Sequence, residues 1–181
     1  MIDSMIIARY FLFLDKRKKY FYESKNNTFK KKEIESDTFP SAGNFRLNKL
    51  LFIANILYMA KNDEFLFNNK ICAFEYGPVV YNVLKNFRKL KEGKITNKEY
   101  FKLTDSIKEY IRKIYKYFSK YSDQELLNFV HEDPNWFLAC KKRKYGSEKL
   151  NQEVNSFIIF NKEDFQFYQD HLSIYINHFK L

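Results

Sequence analysis

Apolar residues recur every three or four positions through most of the chain, a spacing that places them on one face of an α-helix. Asn44 can cap the second helix, and Ser122 with Glu125 forms a capping box. The chain is therefore predicted to be mainly α-helical, with six to seven helices. They are expected from Ser4 to about Tyr22, Asn44 to about Lys61, Val79 to Leu90, Asp105 to Tyr121, Ser122 to Val130, Trp136 to Lys142 and Asn161 to about Phe179.

Two short runs, Ile71–Tyr76 and Phe157–Phe160, have the composition of β-strands. They are predicted to pair as one short two-stranded β element, which must pack against helices because two strands alone are marginally stable. The first run stops at Gly77 and Pro78. Since Pro favours the first helical position and Gly permits an unusual turn before it, a helix is expected to begin abruptly here.

The polar stretch from Glu23 to Gly43 has no helical periodicity. A single domain over residues 1–181 is predicted, with this stretch as a basic, mobile insertion. Such a charge run is typical of a solvated loop, and the functional alternative is an electrostatic tether for nucleic acid or an acidic partner. The residues of this basic patch are Lys16, Arg17, Lys18, Lys19, Lys30, Lys31 and Lys32.

The net charge of +10 and the pI of about 9.4 favour anionic partners. Lysine supplies most of the positive charge, whereas proteins that read DNA grooves usually rely on the planar fork of arginine. No helix-turn-helix or zinc-finger signature accompanies the lysines. Two functions therefore remain open: a protein-binding module, and a nucleic-acid-binding protein that uses the basic segments Lys16–Lys19, Lys30–Lys32 and Lys141–Lys144. A third class, an enzyme, would require a pocket around His131.

Cellular location is predicted from cysteines and apolar runs. Two cysteines do not make a disulfide scaffold, so a reducing compartment is expected. The apolar run Met5–Leu14 is short and is interrupted by Arg9, unlike a secretory signal. No run approaches the roughly 20 apolar residues that span a bilayer. A cytoplasmic protein without a membrane partner is expected.

Residues with reactive side chains do not form a recognisable site. His131, Glu132 and Asp133 are consecutive, whereas a helical metal site places its ligands three or four residues apart. His171 and His178 lie two turns apart on the last helix, too far to share one ion. No catalytic residue, cofactor or metal is predicted, and His131 is expected to brace the turn before Trp136.

Lys49 lies on the polar edge of an otherwise apolar predicted helix. Its candidate partners are Glu75 and the turn at Asp133, and an ordinary surface lysine is the alternative. The segment Tyr76–Pro78 has a structural explanation as a turn. It could also shape a groove for a partner.

Three blocks in order resemble the Panacea domain family. The first, Phe45–Ala54, is similar to the family's Leu-x-Lys-Leu-Leu-aromatic-x-Ala helix, and the second, Ile71–Val80, to its Ala-aromatic-x-Tyr-Gly-Pro-Val segment. The third, Glu125–Leu127 leading into His131–Ala139, is similar to the family's Thr-His turn followed by an acidic residue and a Trp-x-x-Ala helix. This sequence departs from the family pattern at Val130, where Thr is usual, and at Asn48, where Gln is commoner.

The resemblance implies a non-enzymatic, antitoxin-like module. Family members neutralise a protein toxin, typically encoded by a neighbouring gene, by direct complex formation, and one branch delivers its toxin to a protease. The third block also implies that the Trp136 ring lies in the core. The family-motif residues that become candidates for partner binding are Lys49, Glu75, Tyr76, Gly77, Pro78, His131, Asp133 and Trp136.

Overall fold

The computed structural model describes residues 1–15, 21, 42–87, 102–141 and 157–181, which form seven helices and two strands. This confirms a mainly α-helical fold with one short two-stranded β element. In chain order the elements are α1 (Ser4–Leu14), α2 (Ala42–Asn62), β1 (Ile71–Phe74), β2 (Gly77–Val80), α3 (Tyr81–Asn86), α4 (Asp105–Phe118), α5 (Asp123–His131), α6 (Pro134–Lys141) and α7 (Lys162–Phe179).

Helix α2 is the centre of the fold. Every residue from Asn44 to Leu57 is buried, because α1, α4, α5, α7 and the β-hairpin all pack around this helix. A helix that is buried on all sides can keep polar side chains only if each finds a partner. Arg46 pairs with the carboxylate of Asp123, and the backbone N–H of Phe67 donates to Asn55 Oδ1 at 3.2 Å.

The two strands form an antiparallel hairpin in which Ile71 lies opposite Val80 and Phe74 lies opposite Gly77. The predicted pairing of Ile71–Tyr76 with Phe157–Phe160 is therefore wrong for the main ladder. The later segment adds one isolated bridge, Cys72 to Phe157, on the other side of β1. Because only two turn residues separate β2 from β1, pairing these strands costs little loop-closure entropy. Gly77 supplies the positive φ with which the chain reverses its direction.

Pro78 does not start a helix as predicted. It lies in β2 opposite Ala73, and helix α3 begins only at Tyr81. Proline is tolerated on an edge strand because its missing N–H removes no ladder hydrogen bond there.

Several helix ends differ from the predictions. Helix α1 stops at Leu14, where the Asp15 carboxylate accepts hydrogen bonds from Phe21 N at 2.9 Å and from Tyr115 Oη at 3.1 Å. Helix α2 begins at Ala42, so Asn44 is not its cap. The amide of Asn44 instead donates to Leu84 O at 3.2 Å.

The caps with local sequence signals agree with prediction. The Ser122–Glu125 capping box is present at the start of α5. Asn161 is the N-cap of α7, and its backbone N–H donates to the Asp164 carboxylate. Helix α3 ends at Asn86, four residues before the predicted end.

All seven residues of the basic patch lie outside the described part of the chain. The clusters Lys16–Lys19 and Lys30–Lys32 lie outside the described residues, as does the predicted insertion except for its last two residues, which belong to α2. Over the ranges that the structure describes, no helix is both long and apolar enough to cross a bilayer.

Candidate functional site

Two adjacent side chains of α2 bind the edge of β2 that faces away from β1. The backbone N–H of Val80 donates to Asn48 Oδ1 at 2.9 Å, and Lys49 Nζ donates to Pro78 O at 3.0 Å. Asn48 is itself held by donating to Asn44 O at 2.9 Å and to Asn44 Oδ1 at 2.7 Å. The helix thus takes the place of a neighbouring strand, and the edge carries no exposed pairing groups at these two positions.

Lys49 is the most unusual member of this contact. Its side chain is 1% exposed, and its Nζ lies 4.7 Å from the centroid of the Phe45 ring. Burial lowers the pKa of its ammonium to about 7. Sequence reasoning placed Lys49 on a polar edge beside Glu75 or the Asp133 turn, whereas the observed acceptor is the carbonyl of Pro78.

Gly77 is required where the hairpin turns towards α2. Its φ is +94°, a conformation that L side chains rarely adopt. A Cβ atom added here would lie 2.8 Å from Val130 Cγ2 and 2.9 Å from Lys49 Nζ. Glycine is therefore favoured here both by the positive φ and by the lack of space for a side chain.

Side chains of the third block also contact the hairpin. The rings of His131 and Trp136 stack with centroids 4.0 Å apart and planes 8° apart. Trp136 Nε1 donates to Phe74 O at 3.0 Å, and the His131 ring hydrogen-bonds the backbone of Glu75. The two residues that flank the end of β1 are thus bound by neighbouring aromatic side chains.

The surroundings of His131 favour the neutral form of its imidazole. Burial and the nearby Lys49 charge lower its pKa. Its Nε2 atom is buried and has no hydrogen-bond partner among the described residues. The predicted bracing role agrees with this geometry, and the ring stack on Trp136 is its main contact.

Asp133 connects α6 to α7. As the residue before Pro134, it accepts a hydrogen bond from Trp136 N at 2.8 Å and one from Tyr168 Oη at 2.6 Å. Asn135 Nδ2 donates to the same Tyr168 oxygen at 3.2 Å. Burial raises the pKa of Asp133 to about 6, although these donors favour the ionised form.

The motif residues therefore meet at one place. Lys49, His131 and Trp136 contact the hairpin, to which Gly77 and Pro78 belong. Glu75 contributes its backbone, and Asp133 accepts a hydrogen bond from Trp136 N. Glu75 is exposed, Tyr76 and His131 are half-buried, and the others are buried.

Sequence reasoning missed two participants of this network. Asn48 stands beside Lys49 in the first block, and its polarity within an apolar helix was a usable signal. Tyr168 was correctly placed on the apolar face of the last helix. Nothing in the sequence linked its hydroxyl to Asp133, which lies 35 positions earlier.

The polar side chains of this site make their hydrogen bonds within the fold. Burial raises the pKa of the Cys72 thiol to about 11, which keeps it protonated at neutral pH. Across the ranges that can be described, no group of three His, Cys, Asp or Glu side chains could hold a metal ion.

Comparison with known proteins gives one match. The family described as "Antitoxin SocA-like, Panacea domain" matches residues 47–137, which is half of the chain and includes the α2, hairpin and α5–α6 contacts. No curated protein and no solved structure matches the chain. The matched region runs from the middle of the first motif block into the third, and the chain belongs to the SocA-like antitoxin family with a Panacea domain.

Proposed function

We propose that this protein is a non-enzymatic binding module that neutralises a protein toxin by forming a direct complex with it. The observation that carries the proposal is the family match over residues 47–137. The geometry supports it, because the motif residues hold α2, the hairpin and α6 together. Because the motif residues stabilise the fold, the residues on its outer surface are free to differ according to the partner.

The reactive side chains support a role without catalysis. Lys49 and Asp133 are buried, and each is hydrogen-bonded to another residue of the fold. The His131 ring is stacked on Trp136. A catalytic base needs reach to a substrate proton. These groups are directed at their own backbone and neighbours.

The test begins with a tagged chain purified from its native host at moderate salt after nuclease treatment. Mass spectrometry is expected to identify one stoichiometric protein. That protein, expressed alone, should arrest growth, and co-expression with this chain should restore it. Absence of any co-purifying protein would overturn the proposal.

Delivery of the toxin to a protease is a finer version of the same function. An adaptor shortens the half-life of the toxin when the chain is co-expressed, whereas a sequestering antitoxin leaves it unchanged or longer. A pulse-chase measurement of the toxin therefore separates the two modes.

Nucleic-acid binding is the second candidate, and the distribution of charge favours testing it. The described residues hold 15 Lys and Arg against 14 Asp and Glu, while the remaining segments hold 17 against 8. A protein that uses these lysines on phosphates loses affinity steeply with added salt, because each neutralised phosphate releases counterions. Binding to a duplex probe at two salt concentrations tests this reading.

A further inference from the structure

Helix α6 is fixed from its inner side. Trp136 is 9% exposed and donates to Phe74 O, while Asp133 and Asn135 both contact the hydroxyl of Tyr168. These contacts tie the helix to the hairpin and to α7. Its outer side chains are therefore presented by a rigid support, which lowers the entropy lost on binding.

The outer side of α6 is apolar. Phe137 is 47% exposed and Leu138 is 52% exposed, and within the described part no other Phe, Tyr or Trp is as exposed as Phe137. Lys141 Nζ lies 4.3 Å from the centroid of the Phe137 ring. Single exposed apolar residues such as Ile174 are ordinary, whereas two adjacent ones on a fixed helix suggest a contact surface.

Charge decides what this face can bind. A second copy of the chain carries the same net charge of +10, which opposes association of two copies. Lys141 is the only charged residue in the sequence of α6, and Lys142, Arg143 and Lys144 follow it directly in the chain. Phosphates pair with such cations, whereas the apolar side chains of Phe137 and Leu138 offer them no counter-charge. An apolar surface with an acidic border complements this face and the charge of the whole chain.

We propose that Phe137, Leu138 and Lys141 form the docking surface for the partner protein, which presents an apolar patch bordered by a carboxylate facing Lys141. This inference rests on the proposed function, since it names the surface through which the complex forms. Phe137 and Leu138 fill the centre of the contact. Lys141 steers the partner and fixes its orientation.

The test uses the co-purified protein, produced separately, and the full 181-residue chain. Isothermal titration is expected to show at least about tenfold weaker binding for Phe137→Ser or Leu138→Ser, and about a hundredfold or more for the double variant, because buried apolar residues at the centre dominate affinity. Lys141→Glu should weaken binding about fivefold to tenfold at low salt and less at high salt.

Ile174→Ser is the control, since it removes a still more exposed apolar side chain, 69% exposed, from α7. It should change affinity by less than about twofold. All variants should retain the parent's circular dichroism spectrum and a melting temperature within a few degrees of the parent's, because about half or more of each altered residue is exposed.

The outcomes separate this inference from the function on which it rests. If the parent binds the partner and the double variant binds equally well, the surface is wrong and the proposed function stands. If the parent yields no partner, both fall. If the parent self-associates through Phe137 and Leu138, as measured by sedimentation of parent and double variant, the face binds a second copy and the proposal is overturned.

Discussion

Among single residues, Gly77 is restricted by both its backbone and its neighbours. Its φ of +94° is unfavourable for an L side chain, and an added Cβ would lie 2.8 Å from Val130 Cγ2. Gly77→Ala is expected to lower the free energy of unfolding by about 2–4 kcal/mol, the combined effect of backbone strain and overpacking. Urea denaturation measures the change, with the exposed Ser106→Ala as control. A loss below about 1 kcal/mol would contradict this close packing.

Lys49 makes the stability of the fold depend on pH. Burial lowers the pKa of its ammonium to about 7, whereas the unfolded chain has the ordinary value of 10.5. Between these values the unfolded chain binds a proton that the folded chain has lost. The contribution of Lys49 is therefore least favourable at and below pH 7, and stability rises as pH increases, by about 2 kcal/mol between pH 7 and pH 9.

Lys49→Met should abolish this part of the pH dependence, because methionine fills similar space without a titrating group. Lys61→Met, at the exposed end of α2, should retain the slope of the parent. Equilibrium urea denaturation at the two pH values gives both results. Equal slopes in the parent and in Lys49→Met would show that the buried ammonium does not titrate in this range.

The positions of these residues show where sequence reasoning ends. The pattern of α2 correctly identified an apolar helix, but it assigned Lys49 to a polar edge. Sequence spacing alone does not distinguish a polar residue on the exposed face of a helix from one that is buried against a hydrogen-bond partner. The partner is remote: Pro78 lies 29 positions from Lys49, and Asp123 lies 77 positions from Arg46.

At the scale of elements, the hairpin depends on α6 as well as on α2. Trp136→Ala removes the indole that stacks on His131 and donates to Phe74 O. It is expected to destabilise the protein by about 3–5 kcal/mol. Trp136→Phe retains most of the packing and loses the hydrogen bond, for a loss of about 1–2 kcal/mol. Thermal melting measures both, and a Trp136→Ala variant that melts like the parent would remove this residue from the core.

Elements with local signals were predicted well, and pairings were not. Ser122 with Glu125, and Asn161, carry their capping chemistry within one turn, and both helix starts agree with the structure. Gly77 and Pro78 are equally compatible with a helix start and with an edge strand. The choice was settled by Asn48 and Lys49, which bind the strand edge from a distant helix.

The candidate site was predictable only in part. The three blocks identified the family and nearly all the residues that meet at the hairpin. The outer face of α6 was not predicted, because Phe137 and Leu138 belong to the same short helix as the buried Trp136. The packing of α6 against β1 buries Trp136 and leaves Phe137 and Leu138 exposed.

For the molecule as a whole, the net positive charge lies mostly outside the described residues. The described residues contain 15 basic and 14 acidic side chains, which nearly cancel. Replacing Lys30, Lys31 and Lys32 with Gln should leave the melting temperature within about 2 °C of the parent, because the polar sequence of residues 23–43 predicts a solvated loop, where substitutions change stability little. Circular dichroism melting measures this effect. A larger shift would mean that these lysines contribute to the fold.

The same triple variant distinguishes the two functions. If these lysines bind phosphates, the slope of log affinity against log salt for a DNA duplex should fall in magnitude by about 2–3, because each contact contributes about 0.9. Affinity for the co-purified protein should stay within about threefold if that complex forms through apolar contacts, which salt screens little. Loss of partner binding in this variant, with Phe137→Ser unaffected, would move the docking surface from α6 to the basic segment. If Phe137→Ser loses partner binding and the triple variant keeps it, the folded domain recognises the partner. The net charge of +10 would then contribute only electrostatic steering and non-specific adhesion.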